Sequence, residues 1–212
     1  MELIINNYTS TSTITLGGFD TSIVANELSF SWANLIDDYF WSLEIKSAAY
    51  GTETLNLTAK NGILDTGTSM IIFETDDFNM IWEKIIVNRT WGTSLTTGLR
   101  ACYCDSIADF SDITLNLGGV ITTLSTKTYI DFINNSVGQD VCEFWIDYVS
   151  TSLGDPFVLL GDSFLREYYI YHDVSNKKVG FYRNFGQDVN RGCYPFSVFS
   201  ALPVVVIIAL DL

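Results

Sequence analysis

The chain has 212 residues, 48% of them apolar, enough for one sizeable domain with a substantial core and an appendage. Its formal charge of −14, with 25 acidic against 11 basic residues and no basic cluster, excludes a surface for nucleic-acid phosphates. One histidine and four cysteines, closest at Cys102-Tyr103-Cys104, do not make a zinc knuckle, so no metal is expected. Disulfides formed in an oxidising compartment are the better reading, with the pairing left open by the spacing.

The first ten residues, MELIINNYTS, lack the basic start and long apolar core of a secretory signal. Sequons at Asn7, Asn56, Asn88 and Asn134 accord with secretion without establishing it. Disulfides without an entry signal conflict, so the expectation is a piece of a longer polypeptide, with residues 1–15 a truncated or connecting segment.

Residues 13–19, TITLGGF, alternate apolar and polar and read as a strand entering a turn at Gly17-Gly18. Residues 28–36 alternate again, as do Phe40 to Tyr50. Gly51 closes that segment, and Leu55 and Leu57 resume it. Short strands at near-regular spacing point to a mostly antiparallel β domain. Next comes NGILDTGTSMIIF, residues 61–73. Asp65 follows the apolar Ile63-Leu64 and heads a tight turn that Gly67 permits. Thr66 and Thr68 stand close enough to hydrogen-bond a carboxylate, and Met70 to Phe73 lead the chain away. Taken alone, the five turn residues fit an ordinary Asp-Gly turn equally well.

Thr75 is suited to cap a helix with Asp76 and Asp77 in its first turn, and Phe78, Ile81, Trp82, Ile85 and Ile86 share one face of it as a core stripe. Residues 88–100 read as a polar surface loop. Residues 113–117 and 120–124 alternate across Gly118-Gly119 and predict a β-hairpin. Cys142 to Val149 reads as one strand, and Phe157 to Leu160 as another, halted by Gly161. Ser163 to Tyr168 reads as a short helix, and residues 169–174 pair with 178–182 across Ser175-Asn176. Residues 184–193 form a polar linker. The apolar tail, 194–212, has three open readings: a truncated membrane span, the end of a lipid-anchor signal, or a strand packed on the body.

Five stretches in order carry a resemblance: Leu16 to Asp20 (LGGFD), Tyr39 to Ile45 (YFWSLEI), Ile63 to Ser69 (ILDTGTS), Phe157 to Tyr169 (FVLLGDSFLREYY) and His172 to Tyr182 (HDVSNKKVGFY). Residues 16–183 resemble the C-terminal lobe of pepsin-like aspartic proteases. The resemblance implies a mainly β fold: a single bent antiparallel lobe with one amphipathic helix and short helices. It implies that Leu159-Leu160-Gly161 ends a strand threaded beside the Asp65 turn. It also implies a Cys104–Cys142 disulfide, leaving Cys102 and Cys193 as extras that would suit a bridge fastening the linker.

The chemistry so implied is peptide-bond hydrolysis by two aspartates sharing a proton across a water, with no cofactor. Asp65 would be one of the pair. Thr68 would bond its carboxylate, and Thr66 would lock the turn to its twin in the other lobe. Gly67 and Ser69 would meet the substrate backbone and Ile63 would line a pocket, while Arg166 and Tyr168 match as scaffold. The first lobe, with its aspartate and flap tyrosine, has no counterpart in these residues. The expected partners are therefore peptide or protein substrates and either a separate N-terminal lobe or a second copy of this chain. Membrane contact through 194–210 and a secretory location (lysosomal, vacuolar, extracellular or anchored) are further expectations. The alternatives are a non-catalytic peptide-binding remnant and a homodimeric single-lobe protease. A serine triad built on His172 lacks a nucleophile elbow.

Overall fold

The computed structural model describes residues 2–4, 13–134, 138–150 and 154–183. Residues 184–212, which include the linker, the apolar tail and Cys193, lie outside them, as does the sequon at Asn7. Among the described residues the chain builds three sheets of eight, five and four strands.

The eight-stranded sheet carries the centre of the molecule. Along its path run the strands Val120–Leu124, Ile113–Leu117, Ser42–Tyr50, Asn61–Leu64, Phe157–Leu160, Ile71–Glu74 and Ile146–Val149, with Glu53–Leu55 paired to the side. Phe157–Leu160 lies between the two strands that flank the Asp65 turn, parallel to Asn61–Leu64 and antiparallel to Ile71–Glu74. The backbone from Leu64 to Ile71 therefore crosses over the end of an intervening strand. This crossing, rather than the turn's own sequence, fixes where Asp65 stands. Burial alternates along each inner strand, as expected for strands packed more tightly on one face than the other.

The expected hairpin is present, with Ile113 opposite Leu124 and Leu117 opposite Val120. Gly118 and Gly119 both take positive φ, +60° and +106°, which a two-residue connection of this kind requires. A second hairpin pairs Tyr168–Asp173 with Lys178–Arg183 in the five-stranded sheet. Strand Glu2–Ile4 joins that sheet beside Tyr168–Asp173.

The helix spans Thr75–Ile85 and buries Phe78, Ile81, Trp82 and Ile85, with Ile86 half-buried just beyond its end. Glu74, not Thr75, caps it by accepting from the Asp76 N–H at 2.8 Å. The Thr75 hydroxyl is directed instead to the Val149 carbonyl across the sheet. Asp77 in the first turn is fully buried and accepts the N–H groups of Thr58 (2.6 Å) and Ala59 (2.9 Å). It thereby ties the helix to the segment entering Asn61–Leu64.

Three further readings need correction. Residues 88–100 are not simply a loop: Trp91–Thr93 pairs with Arg100–Tyr103, at one edge of the four-stranded sheet. The run from Cys142 to Val149 is two strands, Val141–Phe144 and Ile146–Val149, which join different sheets on either side of Trp145. The short helix is Asp162–Leu165, because Tyr168 already pairs with Arg183.

Cys104 and Cys142 form a disulfide with Cα atoms 5.8 Å apart, bridging Arg100–Tyr103 and Val141–Phe144 just beyond the end of the first. Cys102 sits directly opposite Cys142 in register, buried, and its thiol is held above its ordinary value by that burial.

Candidate functional site

Asp65 stands at the crossing of the central sheet, half-buried. Its own N–H donates to the Leu160 carbonyl at 3.1 Å, which anchors the turn to the threaded strand. Both carboxylate oxygens have donors from within the turn: the Gly67 N–H reaches Oδ1 at 2.9 Å and the Thr68 hydroxyl reaches Oδ2 at 2.5 Å. Two donors aimed at one carboxylate fix its plane.

The segment after the threaded strand grips the other side of the turn. The N–H of Asp162 donates to the Thr68 carbonyl at 2.8 Å, and that of Ser163 to the Ser69 carbonyl at 3.1 Å. The Ser163 hydroxyl adds a bond to the same Ser69 oxygen at 2.7 Å. This close approach is possible only because residue 161 is glycine. A Cβ there would lie 2.1 Å from the Thr68 carbonyl oxygen and 2.4 Å from that of Met70. Gly161 has φ −84°, open to any residue, so the requirement is room and not backbone freedom.

Asp162 is a second carboxylate in the same neighbourhood. Burial pushes it above its ordinary 3.8; the Arg166 guanidinium opposes that rise and the charge of Asp65 adds to it. Sequence reasoning passed over Asp162, Ser163 and Asp77. The signal for the first two was local, an acid and a hydroxyl directly after the glycine that halts Phe157–Leu160. Asp77 gave no signal beyond its place in the helix's first turn.

The remaining expected site residues gather at this turn. Gly67 and Ser69 are exposed, Thr66 and Ile63 half-buried, and Ile63 pairs with Ser42 on one side and Leu159 on the other. The Thr66 hydroxyl has no hydrogen-bond partner among the described residues. His172 lies elsewhere, buried in the five-stranded sheet with its ring packed edge-on against Trp41 at 4.5 Å. Trp41 in turn accepts the Leu64 N–H at 3.0 Å, so the histidine buttresses the strand behind Asp65.

A model of the family described as eukaryotic aspartyl protease matches residues 3–183, most of the chain. The chain belongs to that family. Among its curated relatives, gastricsin from Cavia porcellus is 29% identical over 170 residues, which is 78% of this chain and 40% of that protein. Pepsin B from Canis lupus familiaris is 29% identical over 168 residues, 78% and 40% of the two chains. Renin from Echis ocellatus is 28% identical over 173 residues, 81% and 41%. This aspartyl protease chain thus spans about two-fifths of the length of the curated relatives it matches. Its mainly β build, with few helices, agrees with a single lobe of such an enzyme.

Proposed function

We propose that this chain supplies one lobe, residues 16–183, and one catalytic aspartate, Asp65, to an aspartic endopeptidase. The observation that carries the reading is the carboxylate of Asp65, fixed by the Gly67 N–H and the Thr68 hydroxyl on a turn whose exposed members are Gly67 and Ser69. A carboxylate so held, half-buried yet reachable, is ready to act on a water.

A second aspartate facing Asp65 across that water shares one proton with it, because two carboxylates that close do not both ionise. The ionised member takes a proton from the water as it attacks the scissile carbonyl, and the protonated member hydrogen-bonds the carbonyl oxygen. The pair titrates as a unit. Thr66, whose hydroxyl is uncommitted among the described residues, is placed to bond the partner turn. Gly67 and Ser69 present backbone groups to an extended peptide, and Ile63 lines a side-chain pocket. The second aspartate comes from a separate N-terminal lobe, and the substrates are proteins or peptides. The disulfide and the family together favour a secretory-pathway location.

A statine-type inhibitor, which mimics the tetrahedral intermediate, tests this. Added to the protein that carries both aspartate turns, it is expected to bind one per active site, with binding lost in Asp65→Asn. Binding that is absent, or that is unchanged by Asp65→Asn, refutes the proposal.

A further inference from the structure

We infer that a cavity beside the Asp65 turn is a substrate subsite for a carboxamide side chain, glutamine or asparagine; this deepens the proteolytic reading above and rests on it. The cavity, about 340 Å³, is walled by Met70, Thr97, Leu99, Arg100, Ile146 and Asp147 among others. Strands Ile71–Glu74 and Ile146–Val149 run parallel, so the ends at which they begin are together, and Ile71 begins just after the turn. Met70 lies five residues beyond Asp65, at most about 17 Å of chain. An extended peptide advances about 3.3 Å per residue, so the cavity serves a side chain within about five residues of the scissile bond.

Its chemistry is set by Arg100, whose side chain is only 20% exposed. The guanidinium carbon lies 4.7 Å from the ring centre of Phe78, 5.3 Å from those of Trp91 and Tyr148, and 5.6 Å from that of Trp82. These faces hold the charge in place but accept no ordinary hydrogen bond. The single hydrogen bond from the Arg100 side chain among the described residues goes to Asp147 Oδ1 at 3.4 Å, long for its kind, and Nε is buried without a partner. A guanidinium has five N–H donors, so most of its capacity is unspent.

Asp147 borders the same cavity, and its side chain is 42% exposed. The site therefore offers a donor and an acceptor side by side. A carboxylate ligand meets the charge of Asp147, an ammonium meets that of Arg100, and an apolar side chain strips water from both without replacing it. A carboxamide satisfies both, its oxygen accepting from Arg100 and its NH₂ donating to Asp147. The wall is set in advance: Ser94 N–H bonds Leu99 O at 2.8 Å, Gly98 N–H bonds Ser94 O at 2.9 Å, and the Thr97 hydroxyl donates to buried Glu143.

The test profiles cleavage of a peptide library by the complete protease. Glutamine or asparagine is expected about tenfold above leucine and glutamate at one position. In Asp147→Asn, glutamate should rise to match glutamine there. No amide preference at any position, or one unchanged in Asp147→Asn, overturns the inference. If the protein cleaves nothing, the proteolytic reading fails on its own, and the subsite is read from the 212-residue chain by amide NMR. There, Ac-Ala-Gln-Ala-NH₂ should shift residues 93–100 in a saturable way that Ac-Ala-Leu-Ala-NH₂ does not reproduce. Equal response to both peptides, or none, overturns it. Near-UV circular dichroism of Trp82 and Trp91 checks that the variant keeps its fold.

Discussion

Gly161→Ala is the sharpest perturbation the fold offers. A methyl there would meet the Thr68 carbonyl oxygen at 2.1 Å, the Met70 oxygen at 2.4 Å and the Thr68 carbonyl carbon at 2.7 Å. Ordinary contact begins near 3.4 Å, so the Asp65 loop must withdraw by more than an ångström or the threaded strand must slide. All three obstacles are backbone, which leaves no side chain to swing away. Overpacking of this kind costs about 1–3 kcal/mol and here falls at the upper end. The bonds from the Asp162 and Ser163 N–H groups stretch with it, at about 1 kcal/mol each. The expected loss is about 3–5 kcal/mol, a large share of the stability of a domain this size. Urea unfolding followed by tryptophan fluorescence measures it. Gly92→Ala, where the added Cβ has nothing within 4 Å, is the control and should stay within about 0.5 kcal/mol of wild type. A Gly161→Ala protein that also stays within about 0.5 kcal/mol refutes the threaded arrangement.

Replacing both Cys104 and Cys142 by serine opens a bridge spanning 38 residues, and on a loop-entropy estimate lowers stability by about 3–4 kcal/mol in the same assay. Thr68→Val removes the hydroxyl donor to the Asp65 carboxylate and should cost about 1–2 kcal/mol near neutral pH. Asp162→Asn probes a carboxyl held above 3.8 by burial, with Arg166 opposing and Asp65 adding. The folded chain keeps this proton longer than the unfolded chain. Wild-type stability from this group is therefore whole below pH 3.8 and falls as pH rises through the folded value. Unfolding measured from pH 3 to 7 should show the variant gaining on wild type across that window and level above it; a constant difference would contradict the assignment.

Features written in adjacent residues were legible in the sequence. The hairpin at Gly118-Gly119 and the turn at Asp65 both depend on contacts a few residues apart, and both stand where expected. The break at Trp145 was not legible, because CEFWIDYV carries no local signal to divide it. Trp145 leaves one sheet for another because its N–H donates to Tyr129 O at 2.8 Å and its indole to Asp131 at 2.6 Å, while its carbonyl accepts from Ile71. Trp91–Thr93 was hidden although its partner Arg100–Tyr103 follows closely, because the residues between and before them are polar and Gly/Thr-rich and the partner strand is itself held by Val141–Phe144, some forty residues away. At the helix start the sequence pointed to Thr75 as the cap, but its hydroxyl goes to the Val149 carbonyl across the sheet and the Glu74 carboxylate takes the Asp76 N–H instead. Asp65 was readable as a carboxylate in a hydroxyl-rich turn; its neighbour Asp162 carried only the local mark of following Gly161, and the sheet crossing is what sets its N–H against the Thr68 carbonyl.

Hydrolysis of denatured globin between pH 3 and 5, by the protein assembled with both aspartate turns, tests the role of Asp65 most directly. The account predicts that Asp65→Asn removes activity by at least about a thousandfold while urea unfolding still shows a folded lobe. Activity within tenfold of wild type in that variant would contradict it.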